Sequence, residues 1–172
     1  MPRKFDHTVP SPLSAAQVHA ALTTEGYWQA RLDAIGGPKA TLEEVVVKGD
    51  SPDTRTVRAA MTQAIAEEFL PSALTSIRSG DLVIHRVESW GSLDAQGAAG
   101  RFEAKVEGAP ATITGTLTLS TTESGCTMTA TGAAEVKVPF IGGKIESAVI
   151  EHILALIDAE QEFTDTWAPE HT

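Results

Sequence analysis

The stretch Glu135–His152, EVKVPFIGGKIESAVIEH, changes its period partway along. Before Pro139 polar and apolar residues alternate, with Val136 and Val138 set against Glu135 and Lys137. After Gly143 the apolar residues fall at helical spacing: Ile145, Val149, Ile153, Leu156, Phe163 and Trp167 share one face. A period of two belongs to a half-buried strand and one of 3.6 to an amphipathic helix. The stretch is therefore a joint between a strand and a helix. Gly142, Gly143 and Lys144 raise the question of a phosphate loop, but Lys144 is followed by Ile145 and the upstream glycine of that pattern is missing. The Gly-Gly pair is read instead as backbone freedom for a sharp turn. Pro139, which has no N–H to give, is read as the end of the ladder. Free N–H groups at the helix start leave an anionic headgroup as an option there.

Upstream of the joint, every even position from Cys126 to Val138 is apolar or Gly, which one long strand in a single register explains. ATITGTLTLS places Ile113, Leu117 and Leu119 on one side, and GRFEAKVEG does the same with Phe102, Ala104 and Val106. LVIHRVESW continues the β character, LPSALTSIRSGD reads as a short helix or irregular excursion, and TLEEVVVK and TRTVRAAM form a hairpin through GDSPD. At the start, KFDHTV is a half-buried strand with Phe5, His7 and Val9 inward. SPLSAAQVHAAL follows as a helix with Ser11 as N-cap, Pro12 at the first position and Ala15, Val18 and Leu22 as its stripe. Thr24 opens a second short helix through EGYWQARL.

The order is strand, two short helices, about six antiparallel strands and a long helix, in a single α+β domain over residues 1–172. Alternation on nearly every strand leaves one face buried and one wet. A C-terminal helix of about 25 residues, roughly 38 Å long, suits that buried face. The predicted architecture is a curved antiparallel sheet of about seven strands wrapped around this helix. The space that curvature leaves between them is the candidate site.

The bulk properties narrow the function class. The 172 residues suit one core. A net charge of -10 argues against nucleic acid or an anionic membrane as the main partner, since both need a basic face. Cys126 is the lone cysteine, so no internal disulfide forms. No apolar run reaches the roughly 18 residues of a membrane span, and MPRKFDHTVPSPLS lacks a signal core. The expected location is cytoplasmic, and the expected state is a monomer or weak homodimer.

Three stretches, FLPSAL, ESWG and KVPFIGGKIE, together with the element order, carry a resemblance to the START-like, helix-grip superfamily, and within it to a bacterial family of unknown function. The superfamily includes lipid-transfer domains, Bet v 1-like plant proteins and polyketide cyclases. The resemblance covers nearly the whole chain and implies a hydrophobic cavity for a lipid-like or polycyclic ligand. It supplies no common catalytic residue.

The residues expected to line that cavity are Phe102, Met128, Ala130, Val149, His152, Ile153 and Leu156. His152 has two readings, a half-buried histidine bonded to backbone or water, and a polar anchor or general base. His7 has the same two. Glu160 is expected to reach solvent near the helix end, and Glu67 and Glu68 to form a solvated edge. The small residues of the Cys126–Val136 row either let the helix pack closely or open a pocket. Cys126, on an apolar row, lacks the setting of a nucleophile. Trp28, Trp90 and Trp167 are core or rim aromatics, with Trp90 also a candidate for the pocket wall. No pair of histidines has metal-ligand spacing, and neither metal nor cofactor is expected. The first expectation is a binder of a small hydrophobic ligand and not an enzyme. The alternatives are a cyclase- or aromatase-type enzyme using His152 or His7, and a protein-interaction module with a collapsed cavity.

Overall fold

The computed structural model describes residues 2–70, 72–76 and 79–172. The sheet consists of β1 (Arg3–Ser11), β2 (Thr41–Lys48), β3 (Thr56–Ile65), β4 (Leu82–Trp90), β5 (Gly97–Val106), β6 (Ala111–Thr122) and β7 (Gly125–Val136). Helices α1 (Ala15–Leu22) and α2 (Glu25–Ile35) follow β1. A 3-10 turn (Glu67–Phe69) and α3 (Ser72–Thr75) precede β4, and α4 (Gly142–His171) closes the chain. All pairings are antiparallel, in the order β1-β7-β6-β5-β4-β3-β2. Strands β2 to β7 form a meander, and β1 returns to lie beside β7. This is the helix-grip arrangement that the alternation predicts.

Inward rows read straight off the strands. β5 buries Phe102, Ala104 and Val106, and β6 buries Ala111, Ile113, Leu117 and Leu119. One register line crosses four strands as Phe5, Gly132, Gly115 and Phe102. A Cβ on Gly115 would meet the Phe102 ring at 2.5 Å, and one on Gly132 would meet the Phe5 ring at 3.0 Å. The two rings lie 6.1 Å apart over the glycines. The small residue at mid-row therefore makes room for phenylalanine rings from the neighbouring strands.

α1 begins one turn later than the sequence reading has it. Its N-cap is Ser14, in a capping box with Gln17, while the Ser11 hydroxyl donates to Asp165 of α4. α4 has 30 residues and runs about 45 Å. It buries Ile145, Val149, Ile150 and Ile157, and then Glu160, Gln161, Thr164 and Ala168. The predicted stripe turns aside in its second half. Phe163 and Trp167 are half-buried against Tyr27 of α2, and the side toward the sheet is polar.

The joint itself differs from its sequence reading in two ways. The ladder ends at Val136, three residues before Pro139. Neither Gly142 nor Gly143 has a positive φ; that conformation falls on Phe140, at φ 68. Gly142 is needed for close approach, since a Cβ there would lie 2.5 Å from the Val136 carbonyl oxygen. Glu146, one turn into α4, accepts the Val136 N–H at 2.8 Å and ties the helix start to the strand end.

Candidate functional site

The concave side of the sheet holds a cavity of about 210 Å³ between β3–β6 and the first half of α4. Its floor is apolar: Ile84, Ala104 and Leu117 from the strands, Ile153, Leu156 and Ile157 from the helix. Its open end is marked by exposed wall residues, namely Gly37 and Pro38 after α2, Phe69 of the 3-10 turn, and His152. Phe69 is 74% exposed. A web of polar contacts ties this rim together. Lys39 pairs with Asp81 at 2.6 Å, Asp81 accepts the Glu67 N–H at 3.0 Å, and Glu67 accepts the Gly80 N–H at 2.9 Å. Glu67 and Glu68 are exposed, as a solvated edge requires, and Glu67 in addition holds the Gly80 backbone at the rim. The Lys39 and Glu67 hydrogen bonds hold the Asp81 carboxyl below its ordinary range.

Three polar side chains reach the cavity wall: Gln63, Arg86 and His152. Gln63 continues the inward row Val57, Ala59, Met61 of β3 and is 7% exposed. Its side chain hydrogen-bonds to none of the described residues. Arg86 stands between the cavity and a charged cluster further along α4. It bridges Glu160 through both terminal nitrogens, at 2.9 and 3.0 Å, and donates to Glu88 at 2.8 Å. Arg31 of α2 donates to Glu88 at 3.0 Å and stacks over the Trp28 ring at 4.4 Å. The Trp90 indole donates to the other Glu88 oxygen at 2.9 Å. Two cations and two carboxylates neutralise one another away from solvent. Burial alone would raise the Glu88 carboxyl, but the Arg31 and Arg86 charges outweigh it and hold the group at about 2.

Of the residues expected to line the site, Phe102, His152, Ile153 and Leu156 come together on this cavity wall. Val149 lies beside His152 in a small adjoining pocket. Met128 lines a narrow space of about 30 Å³ beyond the charged cluster, together with Trp90. Ala130 is fully buried in the sheet, opposite His7 and Leu117. His7 itself turns to α4 and bonds Asp158 at 2.7 Å. Glu160 is 6% exposed, contrary to the solvent-reaching carboxylate expected from the sequence, because Arg86 and Arg31 come to it from β4 and α2. Partial burial of the ring holds the His152 imidazole below its ordinary value. Burial first, and the Asp165 charge second, raise the Cys126 thiol, so it stays protonated.

Sequence reasoning missed Gln63, Arg31, Arg86 and Glu88. A signal was available for three of them. The inward row of LVIHRVESW is Leu82, Ile84, Arg86, Glu88 and Trp90, so two charges interrupt an apolar register. Gln63 interrupts that of β3. Among the described residues no group of three His, Cys, Asp or Glu side chains is placed to hold a metal ion, and no helix is long and apolar enough to cross a membrane.

Comparison with known proteins places this geometry. The family model described as "Protein of unknown function (DUF2505)" matches residues 6–168. An uncharacterized protein of Mycobacterium tuberculosis is 35% identical over 169 residues, 97% of each chain. Norcoclaurine synthase from Thalictrum flavum, solved with dopamine and hydroxybenzaldehyde, is similar at a TM-score of 0.55 and 15% identity, over 100% of this chain and 89% of that one. The di-domain ARO/CYC StfQ of the steffimycin pathway is similar at 0.56 and 12%, over 99% of this chain and 52% of that one. At such identities the likeness is one of fold.

Proposed function

We propose, for a chain that belongs to the DUF2505 family within the START-like, helix-grip superfamily, that it binds a small hydrophobic molecule in the cavity under α4. The observation that carries this reading is an apolar cavity of about 210 Å³ between the sheet and α4. Close packing is the rule in protein cores, and an unfilled apolar space costs stability. Apolar cavities of roughly 150 Å³ stay dry and take up benzene, so this one has room for a molecule of at least ring size. Apolar walls give affinity, and a few polar groups give orientation. Among the fold neighbours, norcoclaurine synthase is found with dopamine and hydroxybenzaldehyde, both single-ring compounds.

The test is titration calorimetry with naphthalene and with 2-naphthol, alongside native mass spectrometry of freshly purified protein. Saturable one-to-one uptake is expected, and Leu156→Trp, which pushes an indole into the cavity, should weaken it about tenfold while the chain stays folded. Uptake of neither compound, together with no co-purified mass, overturns the reading.

A second reading, an enzyme of the cyclase or aromatase kind acting on the bound molecule, rests on one observation. His152 brings an imidazole to the cavity wall, and burial favours its neutral, proton-accepting form.

A further inference from the structure

We infer that Gln63 is the hydrogen-bonding reader of the cavity, and that the ligand is an apolar ring-sized molecule carrying one uncharged oxygen function, a hydroxyl or a carbonyl. This rests on the cavity being a binding site. Gln63 lies on the cavity wall, 7% exposed, in a row whose other inward members are Val57, Ala59, Met61 and Ile65. Its amide offers an acceptor oxygen and two N–H donors. None of these is matched by a described side chain or backbone group. Buried polar groups are nearly always paired, so an unpaired amide aimed into an open apolar cavity calls for a partner that arrives from outside. Water entering through the open end serves until the ligand displaces it. A ligand that reproduces those bonds then binds well, and one that does not forfeits them.

The charge of the ligand follows from the neighbouring strand. Gln63 pairs with Ile84 in register, and Arg86 sits two residues further along β4 on the same inward face. Arg86 is the one cation on the cavity wall among the described residues, and its charge is already matched. Glu160 takes it bidentately and Glu88 takes it from the other side, while Arg31 balances the second carboxylate. No net positive field is left to attract an anion into an apolar space, where an unpaired charge is costly. The amide therefore recognises a neutral oxygen.

The experiment compares naphthalene, 2-naphthol and 2-naphthoate on wild type, Gln63→Met and Gln63→Leu, by calorimetry and melting temperature. Hydrophobic transfer alone favours naphthalene over 2-naphthol. Wild type is nevertheless expected to prefer 2-naphthol about tenfold, the worth of one well-made buried hydrogen bond. In both variants that preference should vanish while naphthalene binds as well as before or better. Both variants should melt close to wild type, because neither breaks a hydrogen bond to a described residue. Equal wild-type affinities, a preference that survives both substitutions, or variants that melt well below wild type would each overturn the role of Gln63 and leave the cavity reading standing. 2-Naphthoate binding tighter than 2-naphthol would overturn the neutral ligand. Failure of all three compounds to bind wild type would sink the binding reading itself, and this inference with it.

Discussion

The two halves of the space beneath α4 are built on opposite principles. Under its first half, Ile153, Leu156 and Ile157 face Ile84, Ala104 and Leu117 across an unfilled apolar gap. Under its second half, Glu160 meets Arg31 and Arg86, which also hold Glu88, and Thr164 bonds the Tyr27 hydroxyl. The first half costs stability by leaving surface unpacked. The second seals charged groups so tightly that a wrong register of α4 would strand them. Arg86 is the boundary, touching the cavity on one side and both carboxylates on the other. The contrast teaches a division of labour. The ionic half fixes where the helix lies, so that the apolar half can stay unfilled.

The sharpest way to break the comparison is to unbalance the charges. Glu160→Leu leaves Arg86 and Arg31 with a single shared carboxylate in a buried setting, and should cost about 3–5 kcal/mol. Urea denaturation measures it. A loss below about 1 kcal/mol would show that water reaches the cluster and that it does not lock the helix. Replacing all four charged residues with apolar ones of similar volume should restore much of the loss in stability.

Acid attacks the same half more gradually. Glu88 is held at about 2, below the ordinary carboxylate value of 4.5. Its folded pKa is depressed, so its contribution is fully present above about 4.5 and drains away as pH falls from there toward 2. Urea midpoints of wild type should decline over that window, and Glu88→Gln should decline less steeply from a lower start. Parallel curves for the two proteins would contradict the pairing.

The apolar half should respond with the opposite sign. Ala104 lies on the cavity floor, opposite Arg86 in register, and is 1% exposed. Ala104→Leu puts methyl groups into the gap and should raise stability by about 1 kcal/mol, the usual gain from cavity filling, while lowering uptake of 2-naphthol. A destabilised variant would mean that the gap is smaller or less adaptable than its volume suggests.

This asymmetry also explains what could be read in the sequence. The succession of elements, the inward rows and the change of period at the helix joint were legible because each rests on a local period. Phe102, Ile153 and Leu156 were legible as cavity wall for the same reason. The ionic half was not, because its partners stand 57 and 74 residues apart in sequence, and no period links them. Hydrophobicity alone then drew the helix stripe toward Phe163 and Trp167, although the residues buried in that half include Glu160, Gln161 and Thr164. Gln63, Arg86 and Glu88 were visible only as interruptions of an inward row, which carry weight once a register is trusted more than a residue's usual preference for water. The Gly-Gly pair misled in another way. Glycine signals either unusual φ or close approach, and only coordinates distinguish the two; here Phe140 takes the positive φ and Gly142 the close approach.

The smallest effect is expected at His152, on the lip of the apolar half. The ring is partly desolvated and makes no hydrogen bond to a described residue, so His152→Ala should shift stability by less than about 0.5 kcal/mol. A ligand seated behind it would cover the imidazole further. The folded pKa already lies below the ordinary 6.5, and further desolvation lowers it again, so protonation opposes binding. The affinity for 2-naphthol should therefore be flat above pH 6.5 and weaken as pH falls below it, and His152→Ala should bind as wild type does at neutral pH with that dependence removed. An unchanged pH profile would place the ring away from the bound molecule. If a bound compound is turned over, the same substitution separates the two functional readings: turnover lost with affinity retained assigns the proton transfer to His152, while turnover retained leaves it a wall residue of a binding protein.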